Sequence, residues 1–391
     1  MLKTDYKWQL INDSITDGDK KALTDFINTP NQKFTNGVKV REFEAEWSKW
    51  AGVRYSTFVN SGASANYTMA SIMKEQKGAG EVIVSPLGWV SDVSPLVNLG
   101  FTPVFVDVDM ETMSITLDNI KDAVTDKTVG VCLVHVLGFN AINDQLVKFC
   151  KDNDLFLIED CCESHGATYN NEKIGKFGDV SNVSFYFGHH ITTIEGGMVC
   201  TDDEEIYQLS RGFRSHGMTR ELSEELQEKY KKDYPEVNPL FTFAIPGYNF
   251  RSTELNAVLG LEQIQRLDYN IEKRKENFKV WLDCLDPTIY YTAFKEEGNS
   301  NFSLPLIIQD SNKELFEKVC VLLDGEDVEY RIGTAGGGNQ ARQPYLEKYE
   351  FRTHDLTNVN YIHEYGLYVG NHPELDKDGI ISLCDKLNSL K

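Results

Sequence analysis

Six short runs of nearly unbroken apolar residues punctuate the chain between 81 and 202. They are EVIVS (81–85), TPVFVDVD (102–109), VGVCLVHVLG (129–138), LFLIED (155–160), NVSFYF (182–187) and GMVCTD (197–202). The first three are each followed by a helix-like stretch: SDVSPLVNLG, LDNIKDAVTD and AINDQLVKFCKDND. A strand with one wet face alternates apolar and polar residues; these runs hardly do. They call for burial on both faces, and so for a largely parallel sheet covered by helices. Ligands of such a sheet gather beyond the carboxyl ends of its strands. Asp160, Trp89 and the loop that carries His189 and His190 all fall at such ends.

A chain of 391 residues is long for one core. Near residue 270 the pattern changes. A long helix-like stretch, LDYNIEKRKENFKVWLDCL, precedes strand-like NFSLPLII (301–308). The pattern predicts a large domain over 1–270, N-terminal segment included, and a smaller C-terminal α/β domain over 271–391. The charged stretch ELSEELQEKYKKDYPEVNPL (221–240) reads as a surface excursion.

The formal net charge of −21 argues against nucleic acid and anionic membranes as partners. An anionic substrate would need local cations or helix N-termini. MLKTDYKWQL has no signal-peptide hydrophobic region, and no apolar run is long enough to span a bilayer; a cytoplasmic protein is expected. The eight cysteines lack CxxC spacing and read as reduced, buried thiols.

Four stretches carry possible chemistry. In VNSGASANYTMA (59–70) a strand end meets small residues and then a helix N-terminus, which suits a phosphate; an ordinary N-cap reads equally well. In LFLIEDCCESHGA (155–167) Asp160 ends a buried strand, where an aspartate needs a cation, strong donors or a capping role. His165 there reads as a packed, hydrogen-bonded histidine. In SFYFGHHITTIEGGMVCT (184–201) Ser184 is a phosphate donor candidate and His189 a proton-transfer candidate, because imidazole titrates near neutrality. Adjacent residues diverge, so His189 and His190 do not make a metal pair, and no zinc-type spacing is nearby. In PGYNFRSTELNAVLGLEQIQRL (246–267) Asn249 and Arg251 precede an amphipathic helix, with Thr253 as a capping alternative.

Together, FEAEWSKWAGVRYSTFVNSG, IEDCCESHGA, SFYFGHH…EGG and GYNFRSTELNAVLGLEQI resemble the vitamin B6-dependent sugar aminotransferase family, the DegT/DnrJ/EryC1/StrS group. The resemblance implies fold type I (aspartate aminotransferase-like), an α/β architecture whose large domain has a mainly parallel seven-stranded sheet. It implies pyridoxal 5′-phosphate and pyridoxamine 5′-phosphate as cofactor forms. Gly62, Ala63 and Ser184 would hold the phosphate, and Trp89 would stack on the pyridine. Asp160 would pair with the ring nitrogen, making the ring an electron sink. Glu163 would lie near the ring hydroxyl. Asn249 would reach the phosphate in a neighbouring subunit, which implies a homodimer with shared active sites.

One departure is informative. Family aminotransferases hold the cofactor covalently on a lysine. Counting back from Glu195-Gly196-Gly197, that position is His189. Lys173 and Lys176 precede the strand and are poorly placed substitutes. A histidine here resembles the ketosugar 3-dehydratase branch. One kind in that branch carries an iron–sulfur cluster on a Cys-x-Cys pair; this chain has no Cys-x-Cys and no cysteine between Cys200 and Cys284, so no iron–sulfur cluster is expected. The cluster-free kind acts on GDP-4-keto-6-deoxy-D-mannose in the colitose pathway of lipopolysaccharide O-antigen assembly. The resemblance therefore implies a lyase-type deoxygenation at C3, with L-glutamate as amino donor, ammonia and 2-oxoglutarate released, and His189 as acid and base.

Cations for substrate anions come from His216 and Arg220 in RGFRSHGMTR, and from Arg331 in the Arg331–Asn339 stretch, which resembles a family segment contacting sugar and co-substrate. Surface ion pairing is the alternative for these arginines. Four other readings stay open here: a nucleotide-sugar aminotransferase, a 3-dehydratase of another nucleotide-linked 4-ketosugar, a non-catalytic binding protein and, most distantly, a metal-dependent hydrolase.

Overall fold

A computed structural model describes residues 5–12 and 14–390. The strands, in chain order, are β1 (Tyr55–Val59), β2 (Glu81–Val84), β3 (Thr102–Phe105), β4 (Thr128–Val134), β5 (Phe156–Asp160), β6 (Thr168–Tyr169), β7 (Glu172–Lys173), β8 (Val180–Ser184), β9 (Gly197–Thr201), β10 (Ser303–Ile307), β11 (Tyr330–Ile332), β12 (Arg352–Thr353) and β13 (Gly366–Gly370). Eight form one sheet in the order β1-β9-β8-β5-β4-β2-β3-β12. Pairings from β8 to β12 are parallel, and β9 runs against both its neighbours, β1 and β8.

The apolar runs explain this sheet: β2, β5, β8 and β9 are buried at every residue. Helices Gly62–Lys77, Val90–Asn98, Leu117–Ala123 and Asp144–Asp152 alternate with the strands, as the pattern predicts. The sheet has eight strands rather than seven. The extra one, β12, is a two-residue edge strand from the C-terminal part of the chain, and Arg352 Nη1 anchors it on Glu81 Oε2 at 2.7 Å. Two polar residues carry no strand signal, which is why the sequence conceals it.

A second, antiparallel sheet has the order β10-β13-β11. Helices Leu267–Cys284, Lys313–Gly325 and Lys377–Asn388 belong to the same part of the chain. The N-terminal stretch lies on this smaller sheet: Trp8 bridges to Val328, and its Nε1–H donates to the Gly370 carbonyl at 3.0 Å. The 221–240 excursion contains helix Glu224–Asp233, which buries none of its residues.

Helix Val38–Ala51 starts at Gly37 without a side-chain cap of its own. The buried Glu254 carboxylate replaces it, accepting N–H bonds from Gly37 and Lys39 at 2.9 Å and Val40 at 3.0 Å. An anion there also meets the positive end of the helix dipole. Phe43 and Trp47 of this helix pack on Phe58 and Phe185, with ring centroids 4.9–5.2 Å apart. That aromatic cluster fixes the segment before His189. Among the described residues, no helix is long and apolar enough to cross a membrane.

Candidate active site

Because β1, β2, β5 and β8 run the same way, their carboxyl ends meet at one edge of the sheet. A cleft of about 350 Å³ opens there. Gly62, Ala63, Trp89, Asp160, Glu163, Ser184, His189 and Arg331 all line it.

Ser61 caps helix Gly62–Lys77, its Oγ accepting the Ser64 N–H at 3.0 Å. The N–H groups of Gly62 and Ala63, which a helix leaves without intrahelical partners, belong to the cleft wall beside Ser184. A Cβ on Gly62 would stand 2.7 Å from Ser184 Cβ. Only glycine lets the two segments close into a cradle of helix dipole, free N–H groups and a hydroxyl, a fit for a phosphate.

Trp89 precedes helix Val90–Asn98 and is 53% exposed, leaving a broad aromatic face on the cleft. Asp160 is buried at the end of β5. Its Oδ1 accepts the Cys162 N–H at 2.9 Å, and its Oδ2 accepts from Asn182 Nδ2 at 3.3 Å. Glu163 Oε2 accepts the Leu137 N–H at 2.8 Å. Burial pushes its carboxyl up to about 7, against that hydrogen bond and with help from the Asp160 charge.

The His189 loop leaves β8 and is held by its own N–H to the Tyr186 carbonyl at 3.0 Å. The Nδ1 of His189 is sealed from solvent and has no partner, while the ring lines the cleft. Burial, with the Arg274 guanidinium, pushes the imidazole down to about 4, so it is a neutral base. His190 turns away, its Nε2 paired with the Ser300 carbonyl at 3.0 Å. His165 is packed, as expected, against Trp47 and Phe185, but among the described residues neither of its ring nitrogens has a hydrogen-bond partner.

No lysine lines the cleft among the described residues. Lys173 lies over the Trp50 ring at 4.5 Å and Lys176 pairs with Glu172 at 2.9 Å. Arg331 is the cation of the cleft wall. Its loop packs on the turn before Trp89: Gly336, at φ +60°, sits so close to Gly88 that a Cβ would meet the Gly88 carbonyl oxygen at 2.1 Å.

Four expected residues lie outside this cleft. Asn339 is buried and spends its side chain locally, its amide donating to Asn360 Oδ1 at 3.0 Å and its oxygen capping the Ala341 N–H. Asn249 is exposed and bridges to Ser215. His216 holds φ +60° beside it, and Arg220 is exposed in the following turn.

Other cleft residues carry little local signal in the sequence. Leu10 and Ile11 arrive from the N-terminal stretch, and Phe302 and Tyr368 from the smaller sheet. Asp92 lies beside Asp160; an acid embedded in the apolar stretch just after Trp89 is the one clue that could have exposed it.

The sequence profile of the DegT/DnrJ/EryC1/StrS aminotransferase family matches residues 14–388. GDP-4-keto-6-deoxy-D-mannose 3-dehydratase of Escherichia coli O55:H7 is 31% identical over 391 residues, covering 98% of each chain. The solved E. coli enzyme with bound hydrated pyridoxal phosphate has a TM-score of 0.88 at 30% identity, covering 98% of this chain and 100% of that one. A GDP-4-keto-6-deoxymannose-3-dehydratase with a trapped pyridoxal phosphate–glutamate geminal diamine gives a TM-score of 0.86 at 31% identity, over 97% and 100% of the two chains. The profile match and the cleft agree: the chain belongs to the DegT/DnrJ/EryC1/StrS aminotransferase family.

Proposed function

We propose that the protein is a pyridoxal phosphate/pyridoxamine phosphate-dependent nucleotide-sugar 3-dehydratase that removes the C3 hydroxyl of GDP-4-keto-6-deoxy-D-mannose. The observation that carries this reading is a cleft with cofactor-type clamps in which, among the described residues, His189 stands and no lysine does.

The cofactor, when bound, supplies an amine for the sugar's 4-keto group and a ring that accepts electrons. The chain's own residues do the rest. Gly62, Ala63 and Ser184 bind the phosphate. Trp89 covers one face of the ring and Asp160 meets its nitrogen. Glu163 lies toward the ring hydroxyl. His189, neutral at physiological pH, takes a proton at its cleft-facing edge and gives one to the departing C3 hydroxyl. An imidazole cannot hold the cofactor covalently or displace the sugar amine, which leaves elimination as the open route. The sugar loses one oxygen and gains two electrons; glutamate is oxidised to 2-oxoglutarate and ammonia. Arg331 offers its charge to the anionic substrates.

The active unit in this reading is a homodimer. Trp89, Tyr186, Ile194, Leu240, Phe241 and Phe243 are large apolar residues left exposed on a single chain. The exposed Asn249, with His216 and Arg220, would serve the neighbouring subunit's cleft. Asn339 acts indirectly, shaping the loop that follows Arg331.

Incubation with pyridoxal phosphate, glutamate and GDP-4-keto-6-deoxy-D-mannose tests the proposal by mass spectrometry of the sugar. Loss of one oxygen with release of ammonia supports it. Gain of an amino group overturns it in favour of transamination, and an unchanged sugar overturns the substrate assignment.

A further inference from the structure

The cleft holds a carboxyl group that the proposed reaction does not use. Asp92, in the first turn of helix Val90–Asn98, is 5% exposed and lines the cleft wall beside Asp160. Asn66 and Asn182 bridge the pair. Asn182 Nδ2 donates to both Asn66 Oδ1, at 2.8 Å, and Asp160 Oδ2, at 3.3 Å; Asn66 Nδ2 reaches Asp92 Oδ1 at 3.5 Å. Among the described residues, no donor reaches the buried Asp92 Oδ2. That oxygen presses on Gly88, where a Cβ would lie 2.4 Å away.

Two carboxylates facing each other in a buried site cannot both be charged without a large penalty, and two acceptors cannot bond without a proton between them. The Trp89 backbone N–H and the long Asn66 contact offer only partial relief, and the titratable groups around Asp92 offer none. They are Asp160, Glu163, the thiols of Cys132 and Cys162, and the Tyr345 hydroxyl, none of them a cation.

We propose that Asp92 and Asp160 hold one proton between them, carried on Asp92 and donated to Asp160, so that the pair presents a single negative charge where the ring nitrogen docks. Asp92 is then a positioning residue. It fixes Asp160, so a protonated ring nitrogen meets one charge rather than two. The role toward the cofactor rests on the function proposed above; the shared proton does not. Burial and the Asp160 charge raise the Asp92 carboxyl well above the ordinary range, in agreement with this arrangement.

The sign of the linkage follows. A carboxyl whose titration is raised by folding costs nothing below the unfolded value of about 4, and weakens the fold as pH rises toward its own higher value. D92N keeps a donor toward Asp160 but removes that titration. The full chain, stripped of cofactor, is melted at pH 5 to 8 as wild type and as D92N. The expected result is that the D92N melting temperature gains on wild type with rising pH, by roughly 2 °C per pH unit. Parallel curves overturn the proposal. Should D92N fail to fold, infrared difference spectra of the wild type with isotope-labelled aspartate decide instead. A protonated aspartic carboxyl at pH 7 supports the pair, and its absence overturns it.

A second readout separates the shared proton from the cofactor reading. With pyridoxal phosphate added, D92N should shift the pH at which the bound chromophore titrates. If the apo curves diverge as expected but neither protein binds pyridoxal phosphate, the shared proton stands and the cofactor reading falls.

Discussion

The rings of His165 and His189 lie 5.8 Å apart, centroid to centroid, and three of their four nitrogens lack a hydrogen-bond partner among the described residues. Buried imidazoles without acceptors stay neutral, and the Arg274 guanidinium nearby reinforces this for both. The pair places a dry, uncharged base at the cleft.

His189→Asn should therefore lower dehydratase turnover by at least about 10²-fold while leaving pyridoxal phosphate binding within a few-fold. Steady-state kinetics and a cofactor titration check both halves. His189→Lys restores an amine at this position. Borohydride should then fix the cofactor to the variant covalently, and mass spectrometry should find no such adduct on the wild type.

Glu163 supplies a pH dependence near neutrality. Its carboxyl sits at about 7, so it is largely uncharged in mildly acid solution and ionises as pH rises through 7. Relative to the unfolded chain, whose glutamates ionise near about 4, that delayed ionisation weakens the fold progressively up to about pH 7 and no further above it. Glu163→Gln removes the step. Its apo stability relative to wild type should rise between about pH 4 and 7 by on the order of 2 kcal/mol, discounted for a half-buried group, and level off above that. The wild-type kcat/KM profile should lose an inflection near pH 7 in the variant.

Gly62→Ala tests the cradle. The added methyl must push Ser184 away, at a cost of about 1–3 kcal/mol. Pyridoxal phosphate affinity should fall at least about tenfold, measured by fluorescence titration. An unchanged affinity would mean that the phosphate binds elsewhere.

Arg331→Ala should raise the KM of an anionic substrate with a smaller change in kcat, because the exposed guanidinium contributes binding more than chemistry. Running glutamate and the nucleotide sugar as separate variable substrates shows which one it serves.

Glu254→Ala should cost about 3 kcal/mol by urea unfolding, since three backbone N–H groups at the start of helix Val38–Ala51 lose a charged acceptor together. Glu254→Gln should recover part of that loss.

How much of this was legible depends on the range of the cause. The parallel sheet was readable because double-sided burial writes itself into consecutive residues, as in LFLIED. The strand-end residues Asp160 and Ser184 were readable for the same reason, since a polar residue closing an apolar run is conspicuous. His189 was visible as an imidazole where a strand ends, but its role took shape only against the lysine of a resembling family. Asp92 hid as an ordinary first-turn acid, and Glu254 as an ordinary helix-start glutamate. Their partners lie 68 and more than 200 residues away, and only folding brings them together. Strand β12 hid because its two residues pair by backbone, which carries no side-chain pattern.

The cleft draws its wall from Leu10 at one end of the chain to Tyr368 near the other. A fragment that begins after Ile11 or ends before Tyr368 lacks part of that wall. Cofactor capture would be among the last events of biogenesis, and the fraction of molecules carrying it would count the chains that had folded end to end.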